Sequence, residues 1–180
     1  MNGQHSEHAV GAEQNLLKTR AKALARTPEQ VRQSAEYIEV VEFTLAHEHY
    51  AVQTSLVSEV LNLKALTSVP CTPAWLAGII NLRGKIVAVL DLRKFFDLPD
   101  QGITDTHKVI ILSDQETETG LLADTIVGVH ELAKDELSRG LPTLSGIRTD
   151  YLEGVRSDGL VVLAAEKILG SERLIVNEQV

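Results

Sequence analysis

Sulfur chemistry is nearly absent from this chain: it has one cysteine and one methionine in 180 residues. Cys71 has no intrachain partner for a disulfide, which suits a reducing compartment. Positive charge is also short. Lys and Arg number 17 against 25 Asp and Glu, for a net charge of -8, which disfavours non-specific attraction to nucleic acid or anionic lipid. Long apolar runs are missing as well. The longest reach about 5–7 residues, against the roughly 20 that span a bilayer. The N-terminus lacks a charged-then-apolar leader pattern, so the expected location is the cytoplasm. There is no Gly-rich phosphate loop, no Gly-x-Ser-x-Gly elbow and no zinc-binding helix motif. The length fits one domain, or two small halves sharing one core. A chain of roughly 150 residues buries about 70% of its unfolded surface, so neither disulfide nor metal is needed to hold it.

What is present divides into two textures. Ala12–Ala35 is rich in Ala, Leu, Lys, Arg, Glu and Gln, strong helix formers. Leu17, Ala21 and Leu24 lie on one helical face, and Thr27-Pro28-Glu29 reads as a cap and restart. The expected result is two short helices, or one kinked at Pro28, with a thin apolar stripe. From Tyr37 onward, short Val- and Ile-rich runs alternate with polar residues. Ile38–Leu45 and His49–Thr54 form a hairpin. Leu56–Leu61, a strand or helical turn, and Leu66–Val69 follow. Ala77–Leu82 and Lys85–Leu90 join at Arg83-Gly84, where Gly84 supplies the positive φ of a two-residue turn. Asp91 caps a short helix over Leu92–Phe96.

Past the polar linker Asp100–Thr106, the strand texture resumes. Lys108–Leu112 and Gly120–Thr125 pair, Ile126–Glu131 continues as strand, and Ser138–Ile147 is irregular. Tyr151–Arg156 and Leu160–Leu163 flank the Asp158-Gly159 turn, and Ala164–Leu169 is a helical turn ended by Gly170. About ten short strands with turns every 8–12 residues point to small barrels or a sandwich.

The run from Thr72 to Arg93 resembles the central signature of CheW-like domains: Pro73, the apolar pair Leu76-Ala77, Gly78, then Asn81-Leu82-Arg83-Gly84, an apolar strand and Asp91-Leu92-Arg93. Val57-Ser58-Glu59-Val60 resembles the family's Val-x-Glu-Val element. Gly120–Ile126 resembles its Gly-apolar-Asp-x-apolar strand, and Tyr151-Leu152-Glu153-Gly154-Val155 its Tyr-Leu-x-Gly-Val strand. The resemblance covers 37–176, leaving 1–36 as a tail with a helical extension and 177–180 as a C-terminal tail. It implies a mainly β fold of two five-stranded SH3-like barrels sharing a core. It also implies a non-enzymatic adaptor with no cofactor, binding the regulatory domain of a CheA-type histidine kinase and the cytoplasmic tip of a methyl-accepting chemoreceptor. A scaffold of a non-flagellar chemosensory pathway is the alternative, and a ligand-binding β-barrel the alternative from another class.

On this reading the receptor-binding candidates are Arg83, Asn81 and Glu59, and the kinase-binding candidates are Val57, Ala77 and Gly78. Arg83 sits at a hairpin tip, where its planar donors reach solvent. Its bland alternative is an ion pair with Asp91, or a charge that simply solvates the turn. Asn81 and Gly84 also shape the turn. Of Val57 and Glu59, one is expected to pack while the other meets a partner. Gly78 permits close approach of another backbone, or marks a bulge. His47-x-His49 lacks a third metal ligand, so no metal is expected. Cys71 with His107 lacks an orienting group for thiol catalysis. Asp91 and Asp124 are read as a helix cap and a strand end rather than as a working carboxylate pair.

Overall fold

The computed structural model describes residues 36–99, 102–114, 116–138 and 147–171. The chain divides into Met1–Glu36 and Tyr37–Val180, and the description below concerns the second unit. The helices expected over Ala12–Ala35 lie outside the described residues, as does most of the irregular stretch after Ser138.

Among the described residues, ten strands and three short α-helices appear in the order β1 (Tyr37–Leu45), β2 (Glu48–Gln53), β3 (Val57–Asn62), β4 (Leu76–Leu82), β5 (Lys85–Leu90), α1 (Leu92–Phe95), β6 (Lys108–Ser113), β7 (Glu118–Ala123), β8 (Thr125–Ala133), α2 (Ile147–Asp150), β9 (Leu152–Val155), β10 (Val161–Leu163) and α3 (Ala165–Leu169). Single 3-10 turns precede β3 at Thr54–Leu56 and follow β8 at Lys134–Glu136. The fold is mainly β, in two five-stranded sheets. Sheet A has the order β8-β1-β2-β10-β9 and sheet B the order β3-β6-β7-β5-β4.

The strand sequences explain the layering. Side chains alternate across a sheet, and here both faces of most strands are apolar. In β6, Val109 and Ile111 enter a cluster with Ile80, Val87, Val89 and Leu122, all from sheet B. Ile110 and Leu112 point the other way, into a larger cluster with Phe43, Tyr50, Leu90, Leu121, Val161 and Leu163 from both sheets. In β1, Val41, Phe43 and Leu45 join that shared core, while Ile38 and Val40 line a third cluster with Ala51, Leu132 and Val162 within sheet A. Each sheet thus encloses its own small core and contributes a face to the common one.

Two local contacts draw the sheet edges together. Beyond β8, Ser138 bridges Val155 of β9. In sheet B, the β4–β5 tip reaches β3 through Arg83 and Glu59.

Turn chemistry follows the residues. Arg83 (φ 53) and Gly84 (φ 88) form the two-residue β4–β5 turn, and Gly159 (φ 94) sits in the β9–β10 turn. Asp91 caps α1, accepting from Arg93 N–H at 3.1 Å. One expected strand is not formed: Leu66–Val69 contributes a single bridge, Thr67 to Ile79. The cause is geometric. Val69-Pro70-Cys71-Thr72-Pro73 bends the chain away, with Cys71 at φ 61, because proline removes a ladder donor and restricts its predecessor.

Candidate functional site

The β4–β5 hairpin carries the Asn81-Leu82-Arg83-Gly84 sequence. Asn81 Oδ1 accepts from Gly84 N–H at 2.8 Å, so the Asn side chain builds the turn. Two-residue turns with both central residues at positive φ favour Asn or Gly at the first place. Arg83 stands there instead, at φ 53, at a cost of roughly 1–2 kcal/mol. Its head group is the reason to look further. Nη2 donates to the Glu59 carboxylate at 2.9 Å, midway between its two oxygens, with 76% of the Arg83 side chain exposed. An ion pair that open contributes about 0–1 kcal/mol, so it does not offset the backbone cost by a clear margin. The expected alternative, a pair with Asp91, is not formed: Asp91 is fully buried and engaged by Arg93.

Glu59 is presented by a bulge. Val57 lies opposite Leu112 and Glu59 opposite Ile111, with the register shifting between them. In a regular strand, residues two apart share a face. The extra residue at Ser58 sends them to opposite sides. Val57 packs against the shared core, and Glu59 turns to Arg83. A regular strand would have put both on one face; the bulge is what separates them.

Ala77 and Gly78 lie on β4, an edge strand of sheet B. A bulge falls between Leu76 and Gly78. Gly78 has φ 150, and a Cβ there would stand 2.4 Å from Thr67 O. The close backbone approach permitted by Gly78 is therefore made by this chain's own Thr67, whose N–H and C=O both pair with Ile79 at 2.9 Å. Ala77 packs partly on the sheet B core.

A second feature escaped sequence reading. Arg93 is completely buried. Its Nε and Nη2 grip both oxygens of Asp91 at 2.9 and 3.0 Å, and Nη1 donates to Asp124 Oδ1 at 3.0 Å. Asp124 Oδ2 accepts from Ala46 N–H at 2.6 Å, and Asp124 N–H donates to Thr44 O at 3.0 Å. Thr104 N–H donates to His107 Nδ1 at 3.0 Å, leaving Nε2 to face Asp124 Oδ1 at 3.1 Å. This knot ties the sheet B strands β5 and β7 to the β1–β2 turn of sheet A. Asp91 is the helix cap that was expected, and Arg93 links it to Asp124 at the end of β7. His107 is committed to Thr104 and Asp124 rather than offered to a thiol.

Exposed apolar residues mark one more surface. Val127 and Val129 on β8 are 53% and 58% exposed. Val129 lies opposite Val41, which faces the shared core, so the two share a face of sheet A. Glu39, on that face by alternation, accepts from Thr54 Oγ1 at 2.8 Å.

The signature hairpin, the bulged Val-x-Glu element and the Asp-Leu-Arg cap all fall within residues 39–173, the span that matches the family model described as CheW-like domain. The chain belongs to the CheW-like domain family. It is 27% identical over 146 residues to the chemotaxis protein CheW of Treponema pallidum, covering 77% of this chain and 86% of that protein. It is 29% identical to the chemotaxis protein CheW of Thermotoga maritima, covering 79% of this chain and 93% of that one. Among solved structures, the scaffolding protein TtCheW of Thermoanaerobacter tengcongensis superposes with a TM-score of 0.63 at 30% identity, covering 71% of this chain and 84% of that one.

Within this CheW-like unit, Arg83, Asn81, Glu59 and Gly84 form one constellation, whereas Ala77 and Gly78 lie lower on the β4 edge. The Arg93 knot had one sequence signal, an Arg two residues after a capping Asp, but its partners lie far along the chain. The β8 valines had none, because an exposed Val in a strand reads as core. No described helix is long and apolar enough to cross a membrane.

Proposed function

We propose that this protein is a non-enzymatic scaffold of bacterial chemosensory signalling. It couples the cytoplasmic tip of a methyl-accepting chemoreceptor to the regulatory domain of a CheA-type histidine kinase, and it stands at receptor arrays through those partners. The observation that carries the reading is Arg83: an arginine kept in a left-handed turn position, exposed, and aimed by a bulge-presented glutamate. Holding a residue in a disfavoured conformation for its head group is a mark of function. A guanidinium with one carboxylate partner and an open side has donors left for a second protein. The similarity to chemotaxis proteins and to a scaffolding protein of solved structure supports the same direction.

Arg83, Asn81 and Glu59 form the receptor side, with the apolar β8 valines offering a face for a helix to lie on. The kinase side is the β4 edge at Ala77, with Val57 and Gly78 shaping the two bulges. Thr67 occupies part of that edge, so a kinase strand or loop would meet what remains of it.

The test is a titration of wild type and Arg83→Glu against a receptor-tip fragment and against the kinase regulatory domain, with thermal melts alongside. Receptor affinity is expected to fall about tenfold or more, equivalent to about 1.4 kcal/mol, while kinase binding and melting temperature hold. Unchanged receptor affinity with an intact fold removes Arg83 from the interface.

A further inference from the structure

Among the described residues the chain passes between the two sheets at two places. Thr54–Leu56 carries it from β2 to β3, and Asp124 alone carries it from β7 to β8. The first crossing is lightly held: Thr54 Oγ1 donates to the Glu39 carboxylate at 2.8 Å and to Glu39 O at 3.2 Å, both in the open. The second is one residue long, and a single residue between two strands is a hinge with two soft torsions.

The Asp124 side chain spans that hinge, with one oxygen turned to each sheet. Oδ1 accepts from Arg93 Nη1 at 3.0 Å and faces His107 Nε2 at 3.1 Å, both on the sheet B side. Oδ2 accepts from Ala46 N–H at 2.6 Å, and the Asp124 N–H reaches Thr44 O at 3.0 Å, both at the β1–β2 turn of sheet A. Each anchor is itself constrained. Arg93 is buried and gripped by Asp91, whose N–H donates to Trp75 O at 2.8 Å beside the start of β4. Ala46 stands at φ 56, a left-handed conformation that an alanine rarely holds unaided.

We propose that Asp124 is the positioning residue of the receptor site: by pinning the β7–β8 joint to both sheets, it fixes the angle at which the β8 valines stand to Arg83 and Glu59. The inference rests on the receptor reading above and adds what sets the geometry of that site. Arg83, Asn81 and Glu59 belong to sheet B, whereas Val127 and Val129 follow the joint on β8 of sheet A. At roughly 3.3 Å per residue, Val129 is about 16 Å along β8 from the joint, so a turn of about 10° there displaces it by about 3 Å. Binding constellations need their parts held to within about 0.5 Å. The kinase side, Ala77 with Val57 and Gly78, lies wholly on sheet B and is indifferent to the angle.

The experiment titrates the full chain, as wild type and Asp124→Asn, with a receptor-tip fragment and with the kinase regulatory domain, melts alongside. Asparagine keeps the size and one acceptor but loses the charge that holds both sheets. Receptor binding should weaken about threefold or more, with kinase binding unchanged. In a Val127→Ser/Val129→Ser background, where one half of the site is gone, Asp124→Asn should cost nothing further. A merely structural role would cost the same factor in both backgrounds. Spin labels at Lys85→Cys and Glu131→Cys, with Cys71→Ser, read the angle itself. With Asp124 intact the distance distribution should be narrow before and after receptor addition, and Asp124→Asn should broaden it. Unchanged receptor affinity in Asp124→Asn overturns the proposal, as do equal losses for both partners. A distribution that is broad with Asp124 intact, until the receptor narrows it, overturns it whether or not any variant folds. If Arg83→Glu also leaves receptor affinity unchanged, the receptor reading itself falls. If Arg83→Glu weakens binding and Asp124→Asn does not, only the role of the joint falls.

Discussion

Replacing Arg93 by methionine tests the knot between the sheets. Methionine keeps most of the arginine stem, so packing is largely retained and the loss is one of charge. Arg93 and Asp91 are both 0% exposed, and two of the three guanidinium nitrogens hold the Asp91 oxygens. Removing the cation leaves a carboxylate in the core with its backbone cap bond from residue 93 and no counter-charge, and it strips one donor from Asp124. Breaking a buried pair in this way costs about 3–5 kcal/mol, a large part of the roughly 5–15 kcal/mol that holds a domain together. With a urea m-value of about 2 kcal/mol/M, the midpoint should fall by roughly 1.5–2.5 M. The companion variant Asp91→Asn/Arg93→Met keeps a capping side chain and removes the stranded charge. It should recover at least about 1 kcal/mol relative to Arg93→Met alone, a coupling expected of contacting residues. Urea unfolding followed by circular dichroism, with m-values compared, reads both. If the double variant is no more stable than Arg93→Met, the loss comes from packing and the charge argument fails.

Gly78→Ala should destabilise by about 2 kcal/mol or more, since its Cβ would meet a backbone oxygen at 2.4 Å with φ at 150. Gly128→Ala, with open space around it, should be neutral or stabilising by up to about 1 kcal/mol, and thermal melts of the pair decide. Asp158 is held down to about 2 by the side-chain hydrogen bond from Arg156. A carboxyl lowered in the folded state adds stability above its unfolded value near 3.8, lost as pH falls through about 2. The stability difference between wild type and Asp158→Asn should therefore shrink between pH 4 and 2. With the Asp158 side chain 56% exposed, it should stay below about 1 kcal/mol throughout.

What sequence alone made legible was local. The hairpin at Arg83-Gly84, the turn at Asp158-Gly159 and the cap at Asp91 depend on neighbours within a few residues, and each appears where expected. The shared core was implied by the CheW-like resemblance, and the strands apolar on both faces explain it only once their pairing is known. Long-range polar partnerships were not legible. Arg83 and Glu59 are 24 positions apart, Arg93 and Asp124 are 31, and Ala46 and Asp124 are 78. No periodicity encodes which charge meets which across a sheet. The bulge at Ser58 was hidden for a related reason: an inserted residue looks like ordinary alternation until its partner strand is known. Leu66–Val69 failed as a strand because its apolar content outweighed, in the reading, the proline-bounded bend that follows.

The two sheets differ in how the ribosome delivers them. Sheet B is assembled from one uninterrupted stretch, β3 to β7, whereas sheet A needs both ends of the unit: β2 pairs in parallel with β10, Tyr50 opposite Val161. At about 5–20 residues per second of synthesis, the opening hairpin waits roughly 5–20 s for its last neighbours. During that interval Val41, Phe43 and Tyr50 have only part of their eventual cover. Sheet B can mature first and offer its side of the common core as a surface on which the waiting hairpin rests. Slow closure over long sequence separation is the expected kinetic signature. Nascent chains stalled before Val161 would be the species that most need protection from one another.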